Sequence, residues 1–146
     1  MQRLYVTIVL IGFTVGSILA AGGGNADDHA KLQGTWALSA LVEKGRAETP
    51  ERVRTLSLII KGDKYSYRIA GTDAKFVATF KIDASAKPKS IDIIFEDGPL
   101  KGKTMKSIYA LDGDELRICG GRDIRPTEFS STKGGGEIVF TFRRTK

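Results

Sequence analysis

From Trp36 to Phe142 the apolar residues recur at every second position, in short runs broken by glycine, aspartate and proline. A period of two sends alternate side chains to opposite faces of a strand, so this chain can bury its apolar face only by wrapping a sheet around it. Trp36, Leu38, Ala40 and Val42 share a face in the first run. The later runs are Leu56/Leu58/Ile60, Tyr65/Tyr67/Ile69, Phe76/Ala78/Phe80/Ile82, Ile91/Ile93/Phe95, Met105/Ser107/Tyr109/Leu111, Leu116/Ile118 and Ile138/Phe140/Phe142. Turn residues separate them: Glu43-Lys44-Gly45-Arg46, Gly62-Asp63, Gly71-Thr72-Asp73, the loop at Pro88, Asp97-Gly98-Pro99, and Asp112-Gly113-Asp114, a tight hairpin turn. Between the first two runs, Thr49-Pro50-Glu51-Arg52-Val53 predicts one helical turn, with Thr49 as N-cap and Pro50 at its first position.

Eight such runs without a long helix predict an all-β fold: an eight-stranded antiparallel up-and-down barrel with one short helical turn. At about 1.5–3 kcal/mol for each large side chain buried, the apolar face can drive collapse without a disulfide. The opposite faces, such as Lys64/Ser66/Arg68 and Lys75/Thr79/Lys81, are polar and expected in water. Closure has a consequence that can be checked. Counting by twos from Phe140 and Phe142 lands on Arg144, which would then point inward beside Trp36. A guanidinium over that indole is worth about 0.5–2 kcal/mol. The alternative is that Arg143 and Arg144 are both solvent-facing terminal charges.

The first residues read as a secretory signal. Met1-Gln2-Arg3 precedes an apolar stretch from Leu4 to Ala21, and the next charge is Asp27. Gly24-Asn25-Ala26 is the best cleavage pattern, and a cut near Ala20 is the second. The expected organisation is therefore a signal peptide over 1–26 and a barrel domain over 27–146, exported to the periplasm or beyond. Left uncleaved, about 18 apolar residues are near the minimum for a membrane anchor. Removal of 1–26 leaves 146 − 26 = 120 residues; only Arg3 is lost from the 23 cations, so the charge becomes 22 − 17 = +5. These cations are scattered, with no stacking aromatics among them, so nucleic acid is not an expected partner. A weak association with anionic envelope surfaces follows from the charge. The domain is expected to be a monomer.

Chemistry-bearing patterns are sparse. His29, the only histidine, lies in a short polar lead-in, Asp27-Asp28-His29-Ala30-Lys31, and has no Cys or Ser partner in view. Asp92 and Glu96 share an outward strand face, where neither pKa would be tuned. No ligand spacing for a metal is present. The expectation is no enzyme, no catalytic residue, no metal and no cofactor. Cys119 stands alone, which excludes an internal disulfide and suits a small apolar filler, a reactive thiol being the other reading. Gly98-Pro99-Leu100-Lys101-Gly102-Lys103-Thr104 has three residues between its glycines where a phosphate-binding loop needs four, and a strand follows it. It reads as a hairpin loop. Arg125-Pro126-Thr127-Glu128-Phe129 is expected to pin the last long connection over one mouth through an Arg125–Glu128 pair, with Phe129 as a lid residue.

An eight-stranded barrel is either just filled by side chains or holds one small ligand. Tyr65, Tyr67 and Tyr109 put three hydroxyls on the dry face, and each needs a partner if buried. With Trp36 and Phe80 they form the candidate ligand-binding set. Large aromatics on that face favour a filled interior, while Ala40, Ala78 and Ser107 leave room for a pocket.

Gly34-Thr35-Trp36 heading the first strand, with an arginine closing the last, resembles the lipocalin and calycin pattern. Over nearly the whole mature chain, Leu32-Gln33-Gly34-Thr35-Trp36, Lys87-Pro88-Lys89-Ser90-Ile91-Asp92, Gly98 to Thr104, Ile108-Tyr109-Ala110-Leu111-Asp112-Gly113-Asp114, Leu116-Arg117-Ile118-Cys119 and Arg125 to Phe129 are similar to a small secreted lipocalin-like domain family of unknown function, abundant in planctomycete bacteria. The resemblance implies a β-barrel and export, and supplies no catalytic residue. Where such members show a Gly-Thr-Tyr-like step, this chain has Ala78-Thr79-Phe80, which removes one inward hydroxyl. The functional expectation is a barrel that binds a small apolar or amphipathic molecule. The alternative is a non-catalytic interaction module of the cell envelope with a filled barrel.

Overall fold

A computed structural model describes residues 24–73 and 75–146; the apolar part of the expected signal lies outside the described residues. The elements are α1 (Asn25–Leu32), β1 (Gly34–Glu43), β2 (Arg46–Ala47), α2 (Pro50–Val53), β3 (Leu56–Lys61), β4 (Lys64–Ile69), β5 (Lys75–Asp83), β6 (Ser90–Phe95), a 3₁₀ turn (Gly98–Leu100), β7 (Thr104–Asp112), β8 (Glu115–Gly121) and β9 (Ile138–Arg144). Strands β3 to β9 pair in sequence order, β1 pairs with both β3 and β9, and every pairing is antiparallel. That closes an eight-stranded barrel, with the two-residue β2 as an extra strand on β1. Closure leaves no long unpaired edge, which is how a sheet protein of this size avoids edge-to-edge association.

The period-two reading holds in most strands. Leu58, Ile60, Tyr65, Ile91, Ile93, Tyr109, Leu116, Ile118 and Phe142 point inward and are enclosed with Trp36 in one core. Thr49 caps α2 by accepting from Arg52 N at 3.5 Å, with Pro50 next to it, as the local sequence dictates.

Strand β1 departs from strict alternation. Its register against β9 slips between Leu38 and Ala40, a β-bulge that reverses which residues face inward. Ala40 is exposed and Leu41 packs on the core instead, while Val42 joins a second cluster. The expectation that Ala40 and Val42 share the Trp36 face is corrected by this extra residue.

The outer wall is also not uniformly wet. Ile108, Cys119 and Val139 are cross-strand partners in one row on β7, β8 and β9. They are buried with Val42 and Phe129 packed on them. The connection between β8 and β9 covers this wall. Arg125 donates to Asp92 Oδ1 and to the Ser107 carbonyl, each at 2.7 Å. Glu128 accepts from Ser130 Oγ at 3.2 Å, and Phe129 lies 4.6 Å beneath the Arg117 guanidinium. The expected Arg125–Glu128 pair and mouth-covering Phe129 are therefore replaced. The outward carboxylate of Asp92 is the partner, and the segment seals a side of the barrel, not an end.

Candidate functional site

The two ends of the barrel differ, and α1 makes the difference. The lead-in expected to be a polar tail is a helix that plugs the end where β1 begins and β9 finishes. Leu32 enters the core with no exposure, and Trp36 Nε1 donates to the Leu32 carbonyl at 2.9 Å. Arg144 stacks 4.1 Å above the Trp36 ring, as barrel closure requires. Its nitrogens donate to the carbonyls of Gln33 at 2.7 Å and Lys31 at 2.5 Å. A cation on the last carbonyls of a helix also complements its dipole. Gly34 makes this approach possible: its φ of +124° suits glycine, and a Cβ there would fall 3.1 Å from an Arg144 nitrogen.

Other side chains of α1 bind the strand ends around them. Asp28, 2% exposed, accepts from Lys89 Nζ and from Tyr109 OH, each at 2.7 Å. Burial opposes ionisation of this carboxyl, yet the bonds from Lys89 and Tyr109 outweigh it and hold Asp28 below its ordinary pKa. The same arrangement, burial first and the Asp28 bond second, pushes the Tyr109 hydroxyl far up. His29 contacts Asp63 Oδ1 at 3.0 Å and stacks on Phe80 at 5.5 Å. Gln33 clamps Gly62 by both its N–H and its carbonyl, and Asn25 Oδ1 accepts from Ala84 N at 2.7 Å. His29 is thus a docking residue of the plug, placed by a helix start that the polar lead-in did not advertise.

The candidate set Trp36, Tyr65, Tyr67, Phe80 and Tyr109 all lie in the core. Their polar atoms are spent within the protein. Tyr65 OH and Tyr67 OH share one hydrogen bond of 2.6 Å, and burial pushes both hydroxyls well above their ordinary pKa. Tyr67 continues into a stack with Phe140 and Phe142, ring centroids 5.9–6.4 Å apart. These side chains fill the plugged half and middle of the barrel.

At the opposite end the packing loosens. Leu41, Leu56, Met105 and Phe140 are partly buried there, as Ile82 and Leu111 are at the plugged end, and Phe76 is exposed. A hollow of about 480 Å³ opens there, lined by Phe95, Leu100, Lys103, Thr104, Met105, Arg122, Asp123 and Ile138. Gly120 gives Met105 its room, since a Cβ there would sit 2.7 Å from the Met105 sulfur. Among the described residues neither Lys103 nor Arg122 has a carboxylate partner. The hollow therefore joins an apolar floor to two cations, Lys103 and Arg122, and one carboxylate, Asp123. Its residues come from loops and strand ends, and no sequence signal says which end of a barrel is the open one.

Three further hollows are present. One of about 530 Å³ passes His29, Asp63, Thr79, Phe80, Lys81 and Ile82; one of about 350 Å³ runs between the β1 bulge and α2; a third of about 270 Å³ adjoins Arg122 and the glycines at 134–136. The His29–Asp63 pair shares its groove with the Thr79 hydroxyl and the Lys81 amine. Among the described residues there is no group of three His, Cys, Asp or Glu placed to hold a metal ion. Nor is any described helix long and apolar enough to cross a membrane. Compared with protein-family models, with curated proteins and with solved structures, the chain finds no match.

Proposed function

We propose that this protein is an exported, lipocalin-like, non-catalytic carrier that takes a small amphipathic molecule into the unplugged end of its barrel. The observation that carries the reading is the asymmetry of the two ends. One is sealed by Leu32, Trp36, Arg144 and the Asp28 cluster. The other presents about 480 Å³ of hollow over Phe95, Met105 and Ile138, within the size range of small-molecule sites. The apolar tail of the ligand lies against those three side chains, and an acidic head faces Lys103 and Arg122. Phe76 and Leu100 cover the rim. The ligand-contacting residues are thus those of the open end, with Tyr67 and the Phe140–Phe142 stack as the floor. Trp36, Tyr65, Phe80 and Tyr109 serve the reading indirectly, by holding the frame.

Calorimetric titration of the purified protein with dodecanoate and with dodecanol tests it. Binding of dodecanoate that is removed by Met105→Trp, which fills the hollow, is the expected result. The absence of heat with either compound, together with no lipid extracted from the purified protein, would refute the carrier reading. It would leave the filled-barrel interaction module in its place.

A further inference from the structure

We propose that the open rim is a docking face for an anionic bilayer surface. The large apolar side chains left exposed among the described residues are Phe76 (37%), Leu100 (44%) and Ile124 (81%). Antiparallel strands send alternate connections to opposite ends of the barrel, and all three residues lie in or beside connections that leave from the same end. Phe76 is the second residue of β5, Leu100 lies in the 3₁₀ turn between β6 and β7, and Ile124 follows β8. Phe76 lies against the turn that carries Leu100, since a Cβ on Gly98 would be 3.6 Å from its ring. Leu100 in turn shares the hollow with Arg122 and Asp123, the residues leading into Ile124. Phe76 and Leu100 thus flank the opening, and Ile124 lies just beyond it, where the connection turns onto the outer face of β8 at Gly121. Isolated exposed apolar residues need no explanation, but three gathered at one end of a barrel do.

Each of the three is accompanied by a cation: Lys75 before Phe76, Lys101 after Leu100, and Arg122 two residues before Ile124. Lys103 stands over the hollow, and Arg68 is the direct cross-strand partner of Lys75. Two like charges opposite each other on a sheet repel unless an anion sits between them. None of these five cations has an ion-pair partner among the described residues, whereas the nearby Glu96 is already occupied by Lys64 at 2.7 Å. Asp97 is spent on the Val77 N–H at 3.0 Å; Asp73, Asp123, Glu43 and Glu137, whose Oε2 is buried, are the carboxylates that oppose these cations at this end. Apolar side chains interleaved with unpaired cations suit the boundary of an anionic membrane, where the former enter the acyl region and the latter meet headgroup phosphates. A flat acidic protein would leave Phe76, Leu100 and Ile124 against polar surface, so the bilayer is the better occupant. Docked this way, the mouth of the hollow faces the lipid. The docking does not require the carrier reading, although it would explain how a poorly soluble ligand reaches the barrel.

Flotation of the purified protein with vesicles tests the proposal, using pure phosphatidylcholine against an equimolar mixture with phosphatidylglycerol. Binding to the mixed vesicles only, weakening as salt is added, is expected. Lys75→Gln and Lys101→Gln should each reduce binding about five-fold, and Ile124→Ser about ten-fold. Lys61→Gln, at the plugged end, changes the net charge equally and should leave binding intact. Equal loss in Lys61→Gln would overturn the proposal in favour of diffuse charge attraction. So would equal binding to both kinds of vesicle, retention by an acidic protein with none by vesicles, or no binding at all. Because Ile124 does not line the hollow, Ile124→Ser should lose vesicle binding while retaining dodecanoate; loss of dodecanoate binding with vesicle binding intact would count against the carrier reading alone. Unchanged melting of each variant shows that the fold is intact.

Discussion

Replacing Asp28 by asparagine tests whether α1 is held by charge or merely by Leu32. The substitution keeps the shape and one acceptor for Tyr109, but it removes the charge that binds Lys89. Removing one member of a fully buried ion pair costs about 3–5 kcal/mol. Here the Lys89 side chain is 37% exposed and can turn back to water, so the cost is that of weakening two charge-assisted hydrogen bonds, about 2 kcal/mol. For a domain of this size that corresponds to a fall in Tm of about 8 °C. The pH dependence has a definite sign. Because the folded protein holds the Asp28 pKa below its ordinary 3.8, the stabilisation is full above that value and is lost as pH falls through the folded value. Urea unfolding followed by emission of the single tryptophan, at neutral and at progressively acid pH, measures both effects. The wild type should converge on Asp28→Asn in acid. A neutral-pH difference under about 0.5 kcal/mol would refute the charge-held plug. So would an acid dependence that the variant retains in full.

Four other outcomes follow from the same geometry. Trp36→Ala should cost about 3–5 kcal/mol as a core truncation, with emission lost as the unfolding signal, so circular dichroism in urea measures it. Tyr65→Phe and Tyr67→Phe each strand the other hydroxyl in the core and should cost about 1–3 kcal/mol. Their combination should cost less than the sum, and strict additivity in a double-mutant cycle would contradict the shared bond. Cys119, its thiol pKa raised chiefly by burial, should resist a thiol reagent at neutral pH in the native state and react on unfolding; rapid native labelling would contradict its burial. Finally, N-terminal sequencing distinguishes the expected cut after Ala26 from the second site near Ala20, and the Asn25 bond to Ala84 N favours the earlier cut. A cut after Ala26 would remove Asn25 and open the first turn of α1, forfeiting the bond to Ala84 N.

How far the residues alone reach is visible in particular elements. The alternation in β3 to β9, the Thr49-Pro50 helix start and the Asp112–Asp114 turn are local facts of spacing and backbone preference, and each is legible without coordinates. Even the Arg144–Trp36 contact could be anticipated, because a closed antiparallel barrel forces the first and last strands together. The β1 bulge could not. Nothing in Leu38-Ser39-Ala40-Leu41 marks an extra residue, and the slip exists only in the pairing with β9. The same holds for Arg125, whose partner Asp92 lies 33 residues away and across two strands.

Periodicity and turn residues determined that this chain is a closed all-β barrel with a dry interior, because those preferences act over a few residues at a time. Only the tertiary structure decided which end of that barrel is sealed. Asp27 to Lys31 is too short and too polar to announce a helix, and it becomes one because Leu32, Asp28 and His29 find partners on strand ends brought from five other places in the chain. The open end, with its hollow and exposed apolar rim, is what that choice leaves over.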